Sequence, residues 1–277
     1  MDEMNQRQID DWNGARGARW LAHHEWLDRS FTAFGEAAFS AANLRPGEVV
    51  LDVGCGPGAT TREIVRRVLP GGRGVGVDVS GPLIARAREL AQGTNVAFEL
   101  ADASRHGFAP ESFDVLFSRF GVMFFDDPEG AFAHLRTALR PNGRLAFVCW
   151  RGAMENDWFR VPYRALQAVL PNMPPVDPLV PGPFAFGDQQ RIERVLRQAG
   201  FTNMAIAPFD APLYVAADAD ESLDQTLRVG PFASMLAEQP EDVRRRGLTS
   251  IRTALAERAT DQGVSLSGAA WIVTASA

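Results

Sequence analysis

Apolar residues alternate along the chain between two patterns, short continuous runs and longer stretches with one apolar helical face. Seven runs bounded by glycine, proline or polar residues predict strands, at 48–53, 74–78, 96–100, 113–118, 144–150, 203–209 and 269–275. Stretches with helical spacing lie between the early runs, at 60–69, 82–91 and 131–139. Strands alternating with helices of about ten residues predict βαβ units. We therefore expect a doubly wound α/β fold with a mostly parallel sheet.

The remaining segments predict additions to this core. Residues 1–44 have a helical pattern in which tryptophans and phenylalanines stand among polar residues, and seven prolines make 152–187 look irregular. An insertion that directly follows a strand end is placed to cover a site there. The predicted organisation is a helical cap at 1–44, an α/β core at 45–151, a substrate-covering insertion at 152–187, a core helix and strand at 188–215, a helical insertion at 216–265 and a final core strand at 266–277.

Composition excludes several classes of function. The net charge of −6 argues against a nucleic-acid backbone as the main partner, because phosphate binding needs a basic face. Two cysteines form no disulfide framework, and the polar start of the chain lacks the apolar core of a signal peptide. No stretch approaches the length of a bilayer span, and no cluster has the spacing of metal ligands. We expect a cytoplasmic protein without membrane contact or metal.

The most informative motif is Val-Leu-Asp-Val-Gly-Cys-Gly-Pro-Gly at 50–58, where a predicted strand runs into a glycine loop and then a helix. Glycines allow a tight turn and let a ligand touch bare main chain, and a helix start offers free amides. The dinucleotide fingerprint G-x-G-x-x-G is absent, because position 59 is Ala59. Asp52 would repel a pyrophosphate and suits a cationic amino group. The loop therefore disfavours a nicotinamide dinucleotide.

Two further acids end the next two strands. Asp78 lies 20 residues after Gly58, where a carboxylate accepts hydrogen bonds from both ribose hydroxyls. Asp102 closes the third strand, where a carboxylate can accept from the exocyclic amine of adenine. A cap or surface role is the alternative for each of them, since Asp is common after strands. With the glycine loop, these acids point to an adenosine-containing ligand.

Together these residues resemble the class I S-adenosylmethionine-dependent methyltransferase family. Between residues 48 and 150 the chain is similar to the type-11 small-molecule methyltransferases, which include the ubiquinone and menaquinone C-methyltransferases. The motifs that carry the resemblance lie at 51–58, 76–80, 101–103, 112–115 and 139–145. The resemblance implies a seven-stranded sheet whose last strand is antiparallel, with S-adenosyl-L-methionine as cofactor.

The resemblance also implies roles for individual residues. The glycine loop would pack the methionine part of the cofactor, Asp78 would hold the ribose, and Asp102 with the Ala103 main chain would hold adenine. Ser118 and Arg119 would end the fourth strand beside the sulfonium. The cofactor-binding residues predicted in this way are Asp52, Gly54, Cys55, Gly56, Gly58, Asp78, Val79, Asp102, Ala103 and Ser118.

The chain departs from the quinone enzymes after the fourth strand. Those enzymes carry an Arg-Asn pair there, whereas this chain reads Ser-Arg-Phe-Gly-Val-Met-Phe-Phe at 118–125. A quinone substrate is therefore not supported. We predict instead that Arg119 lines the substrate pocket and orients a polar or anionic group, with an internal salt bridge as the alternative. His23 and His24 are the candidate general bases, with an exposed helix position as the alternative.

Methyl transfer requires alignment of the nucleophile with the methyl group and exclusion of water. The tryptophans of the cap and strand ends could line a pocket for an apolar or aromatic molecule, or simply attach the cap to the core. The sequence thus predicts direct in-line methyl transfer to a small, apolar or aromatic molecule. A methyltransferase acting on a macromolecule, or a cofactor-binding protein with other chemistry, is the alternative.

Overall fold

The structure is a computed structural model that describes residues 3–92, 96–173 and 175–277. Its residues group into two units. The first consists of Met1–Trp150, Pro178–Phe209 and Ala270–Ala277, and the second of Arg151–Asp177 and Asp210–Ala269. The segment 152–187 is thus divided between the two units after Asp177.

Every strand that the apolar runs predict is present, and one two-residue strand is added near the end of the chain. The strands are β1 Val49–Val53, β2 Arg73–Asp78, β3 Val96–Leu100, β4 Phe113–Arg119, β5 Leu139–Trp150, β6 Thr202–Ala216, β7 Ala259–Thr260 and β8 Gly263–Ser276. Strands β6 and β8 are roughly twice as long as predicted, and both have residues in each unit.

The strands form one sheet in the order β3-β2-β1-β4-β5-β8-β6, and β7 pairs with β8. Neighbours from β3 to β5 are parallel, whereas β8 runs antiparallel to β5. This confirms the predicted fold class. The parallel strands end at the same edge of the sheet, which is where ligands bind in open α/β folds. Residues that follow β1 to β4 therefore meet at this edge.

Helices cover the sheet and form the start of the chain. They are α1 Glu3–Asn13, α2 Ala15–Ala22, α3 His24–Ser30, α4 Thr32–Ala42, α5 Ala59–Val68, α6 Gly81–Leu90, α7 Pro128–Thr137, α8 Asp157–Gln167, α9 Gln189–Gln198, α10 Ala219–Val229, α11 Phe232–Ala237 and α12 Glu241–Ala256. Helices α8 and α10 to α12 belong to the second unit. No helix within the described ranges is long and apolar enough to cross a membrane.

The core helices form where the apolar spacing predicts them. In α5, Ile64, Val65 and Val68 are buried on one face. Short polar caps start other helices, as in α7, where the Asp127 carboxylate accepts the Gly130 amide at 3.0 Å. Burial of one apolar stripe against the sheet fixes the orientation of each helix.

Two predictions of local structure are wrong. The segment 152–187 contains helix α8 rather than only irregular chain, because Phe159, Tyr163 and Leu166 share a buried face that outweighs the proline inside the helix. The strand predicted at 144–150 begins earlier, at Leu139, so residues 141–143 lie within the bounds of β5. Asn142 has a φ of 65° there, and the pairing with β4 shifts register, so these residues form a bulge in a continuous strand.

Candidate functional site

A cavity lies at the carboxyl edge of the parallel strands in the first unit. Its lining combines the ends of β1, β2 and β4 with the segment after β3 and with helices α1 and α2. The lining residues are Asn5, Gln8, Ile9, Trp12, Trp20, Val53, Gly54, Gly56, Val77, Asp78, Val79, Leu83, Ala101, Asp102, Ala103, Arg119, Phe120, Gly121, Phe124 and Phe125. Two carboxylates and several aromatic rings thus face one space.

The glycine loop presents main chain to this cavity. Gly56 has a φ of 52°, a backbone conformation that favours glycine. A Cβ atom at Gly56 would have no neighbour nearer than the Trp20 Nε1 atom, 3.9 Å away. A side chain there would therefore enter the cavity, so glycine keeps that space available to a ligand.

Gly54 has a different role, which is close packing. A Cβ atom at Gly54 would lie 2.7 Å from the Gly121 Cα atom, so the β1 loop and the segment after β4 touch through their main chains. Ser118 closes the same junction, since its hydroxyl donates to the Val53 carbonyl at 2.7 Å and accepts the Gly121 amide at 3.1 Å. Ser118 is buried and is not part of the cavity lining. The structure therefore gives Ser118 a structural role, and its contact with the cofactor stays a prediction.

Asp78 lies at the end of β2 and faces the cavity. One carboxylate oxygen accepts the Gly56 amide and the other accepts the Ser80 amide, each at 2.9 Å. Burial raises the pKa of Asp78, and the hydrogen bonds from Ser80 and Gly56 oppose that rise. The carboxylate also lines the cavity, so the hydroxyls of a vicinal diol can approach it from that side.

Asp102 follows β3 and is held from two sides. Its Oδ1 atom accepts the Ser104 amide at 2.9 Å and the Ser104 hydroxyl at 2.6 Å. Its Oδ2 atom accepts the Asn5 side-chain amide of α1 at 2.8 Å. The carboxylate lines the cavity beside Ala103, so a ligand amine can reach it.

Asp52 does not face the cavity, contrary to the prediction. It is fully buried, and its Oδ2 atom accepts both the Thr60 and the Thr61 hydroxyls at 2.6 Å. Its Oδ1 atom has no hydrogen-bond partner in the described part of the chain. Successive side chains of a strand point to opposite faces. Val53 lines the cavity, so Asp52 is directed away from it to the start of α5.

Cys55 and Gly58 also lie outside the cavity lining. The Cys55 side chain belongs to an apolar cluster with Ile84 and Phe98, and burial raises the pKa of its thiol. Gly58 begins α5 with a φ of 76°, and a Cβ atom there would lie 2.4 Å from the Phe98 ring. Both residues therefore shape the glycine loop, although the resemblance implied contact with the cofactor.

Helix α1 contributes lining residues that the sequence analysis did not identify, namely Asn5, Gln8 and Ile9. These residues are ordinary in a polar helix, and the approach of α1 to the ends of β2 and β3 depends on contacts about 70 to 100 residues apart in sequence. Trp12 and Trp20, noted as aromatic residues of the cap, line the cavity as well. The N-terminal helices thus form part of the site.

Comparison with known proteins agrees with this geometry. A family model described as a methyltransferase domain matches residues 51–147. The chain is 33% identical over 58% of its length to the nocamycin O-methyltransferase of Saccharothrix syringae, covering 61% of that protein. It is 30% identical over 66% of its length to an uncharacterized methyltransferase of Schizosaccharomyces pombe, covering 70% of it. The chain belongs to the class I S-adenosylmethionine-dependent methyltransferases.

A solved structure shows the same fold for this methyltransferase. The YcgJ protein of Bacillus subtilis superposes with a TM-score of 0.57 at 17% identity, covering 90% of this chain and 97% of that one. The chain spans little more than half of the length of the first curated relatives that it matches.

The cavity of the methyltransferase suits S-adenosylmethionine, the cofactor of its family. The Asp78 carboxylate lines the cavity, where the two ribose hydroxyls can approach it, and Asp102 lies where an adenine amine would need an acceptor. Gly54 and Gly56 offer bare main chain next to Val79. The residues of the predicted set that line the cavity are Gly54, Gly56, Asp78, Val79, Asp102 and Ala103.

Arg119 of the methyltransferase lines the cavity, but its charge already has a partner. Its guanidinium donates to the Asp28 carboxylate, which belongs to α3, and it lies over the Phe31 ring at 5.9 Å. The internal salt bridge, which was the alternative for Arg119, is thus present in the structure, and its contact with a substrate group stays a prediction. The physical reason is that a half-buried cation requires an anion, and the cap provides one. An effect of Arg119 on catalysis stays a prediction.

The two candidate bases are not among the cavity residues of the methyltransferase. His24 is buried at the start of α3, where its Nε2 atom accepts the Arg86 Nε–H at 3.3 Å from α6. His23 joins α2 to α3 and is absent from the cavity lining within the described ranges. Their predicted catalytic role has no support in this arrangement.

Proposed function

We propose that the chain transfers the methyl group of S-adenosylmethionine to a small, apolar or aromatic molecule. The observation that carries this proposal is the mixed lining of one cavity. Carboxylates that can accept hydroxyl and amine donors line it together with the Trp12, Trp20, Phe120 and Phe124 rings. The relative named for nocamycin O-methylation supports a small-molecule acceptor.

The carboxylates of the lining would hold the adenosine. When bound, S-adenosylmethionine supplies an electrophilic methyl group on a positively charged sulfur, and the sulfur keeps both electrons of the bond that breaks. Asp78 would orient the ribose by accepting its hydroxyls, and Asp102 would orient the base. Fixing the donor in this way lowers the entropic cost of alignment with the acceptor molecule.

The aromatic rings of the lining would exclude water and contact the substrate. Trp12 contacts the Trp20 ring edge-on with centroids 5.6 Å apart and the Phe124 ring at 5.3 Å, so the three rings form a continuous apolar surface. Phe120 stacks on Trp150 at 4.0 Å and has a φ of 63°, a strained conformation for a bulky residue. Phe120 thus lines the cavity directly after β4, where the acceptor molecule would bind.

Binding and turnover experiments test the two parts of the proposal. Calorimetry should detect binding of S-adenosylmethionine and S-adenosylhomocysteine and no binding of NAD. Mass spectrometry should then detect S-adenosylhomocysteine and a methylated product with a panel of hydroxylated aromatic molecules. Binding of NAD without binding of S-adenosylmethionine would refute the cofactor assignment. Methylation of RNA or protein with no small-molecule product would refute the substrate class.

A further inference from the structure

Asn5 is a buried polar residue on an otherwise open helix. It is 7% exposed and is the buried residue of α1, whose other described residues are half-buried or exposed. Burial of an amide without a hydrogen-bond partner is unfavourable, because the amide loses its hydrogen bonds to water. The Asn5 amide avoids that cost through its 2.8 Å hydrogen bond to Asp102, a residue 97 positions away. A polar pair of this kind at a cavity suggests a binding role.

The position of α1 does not depend on Asn5 alone, because the other end of the helix has its own attachments. The Asn13 side-chain amide donates to the Val79 carbonyl and accepts the Gly81 amide, both at 2.9 Å. The Ser80 hydroxyl donates to the Trp12 carbonyl at 2.8 Å. These bonds fix α1 next to β2, so the Asn5 bond to Asp102 is available for another purpose.

The hydrogen bonds of Asp102 leave it with one acceptor position. Two donors from Ser104 occupy Oδ1, and the Asn5 amide occupies one position on Oδ2. The Arg105 guanidinium lies 3.9 Å from Oδ2, which is beyond hydrogen-bond distance. With about four positions on a carboxylate, a single one on Oδ2 remains for a ligand. Asn5 shares that oxygen and thereby restricts where the ligand donor can approach.

We propose that Asn5 is a positioning residue for the nucleobase of the cofactor. It holds the Asp102 carboxylate so that its remaining acceptor position meets the exocyclic amine of adenine. A 6-oxo purine presents a carbonyl oxygen at that place, and two acceptors facing each other both lose their hydrogen bonds. The Asn5–Asp102 pair therefore gives the site its preference for adenine over hypoxanthine. This inference rests on the proposed function, which places adenosine in the cavity.

The test compares the binding of two neutral ligands by calorimetry, S-adenosylhomocysteine and S-inosylhomocysteine. The wild type should bind the adenine ligand at least about 10-fold more tightly than the hypoxanthine ligand, since a hydrogen bond to a charged group contributes about 1.5–3 kcal/mol. Asn5→Leu should reduce that ratio at least about threefold, mainly through weaker binding of the adenine ligand.

Gln6→Leu is the matched control. Gln6 is a neighbouring amide of α1 that donates to Asp10 at 2.8 Å within the same helix, so its loss should leave the ratio unchanged. Equal weakening of both ligands by Asn5→Leu would show that Asn5 only docks α1 and would overturn the proposal. Tighter binding of the adenine ligand by Asn5→Leu would overturn the proposal too, because the Asn5 amide would then compete with the base for Asp102. Failure of the wild type to bind S-adenosylhomocysteine would instead refute the proposed function.

Discussion

Asp52 should make the stability of the protein depend on pH in a direction that is unusual for an aspartate. Burial raises its pKa from 3.8 to about 6, although hydrogen bonds from Thr60 and Thr61 partly oppose the rise. The folded state therefore binds the proton more tightly than the unfolded state. Between these two pKa values the free energy of unfolding falls as pH rises, and above pH 6 the loss is complete. A pKa shift of about two units corresponds to a loss of about 3 kcal/mol in the free energy of unfolding.

Asp52→Asn removes this titration and keeps most of the packing. The amide oxygen of the new side chain can still accept both threonine hydroxyls, so the hydrogen bonds to α5 survive. The variant has no carboxylate to desolvate at neutral pH. Relative to wild type, its free energy of unfolding should therefore rise by about 3 kcal/mol between pH 4 and pH 7.

Urea unfolding followed by tryptophan fluorescence, at several pH values from about 4 to 7, measures this difference. Subtracting the free energy of unfolding of the wild type from that of the variant cancels the contributions of titrating groups that do not interact with Asp52. Asp114→Asn is the control, since burial favours a raised pKa for Asp114 but the Val49 amide and the Arg140 guanidinium lower it overall. The difference in the free energy of unfolding between Asp114→Asn and wild type should not rise with pH. A difference for Asp52→Asn that stays constant within about 0.5 kcal/mol would refute the reasoning.

Three further predictions concern the cavity and its frame. Asp78→Ala should weaken S-adenosylhomocysteine binding at least about tenfold with an unchanged circular dichroism spectrum, because two hydrogen bonds to a charged acceptor are lost; a change below about threefold would contradict this. Gly121→Ala should destabilise the protein by about 1–3 kcal/mol in urea, since its Cβ would lie 2.6 Å from a β1 carbonyl, whereas Gly107→Ala meets nothing within 4 Å and should be neutral. Asp28→Asn and Arg119→Gln should be non-additive in a double-mutant cycle of urea stability; additive effects would show that their ion pair is not formed in solution.

The sequence is most informative where structure is local. The apolar runs predict the inner parallel strands β1, β2, β4 and β5, because burial on both faces requires continuous apolar residues. The glycine loop and the acid at the end of β2 are also visible, since a few neighbouring residues specify them. Helix α8 was missed because the prolines of 152–187 dominated its pattern, although Phe159, Tyr163 and Leu166 have helical spacing.

The site is less predictable, because its members come from distant parts of the chain. Nothing near Asn5 indicates that its amide meets Asp102, and nothing near Arg119 indicates that Asp28 pairs with it. Each contact depends on how the N-terminal helices cross the sheet edge, which tertiary packing decides. A motif thus identifies the strand ends that contact the ligand, whereas the side chains that complete the site need the fold.

Asp52 and Asp78 show a second limit, which concerns direction rather than distance. Both are acids near the end of a buried strand, and the sequence assigns both to the cofactor. Asp52 pairs with Gly76, two residues before Asp78, so it lies one step inside the strand while Asp78 ends its own strand. Asp52, one position inside the end of β1, faces the start of α5, and Asp78, which ends β2, faces the cavity. In these two strands the position relative to the strand end, rather than the residue type, separates the buried titrating group from the cavity-lining one.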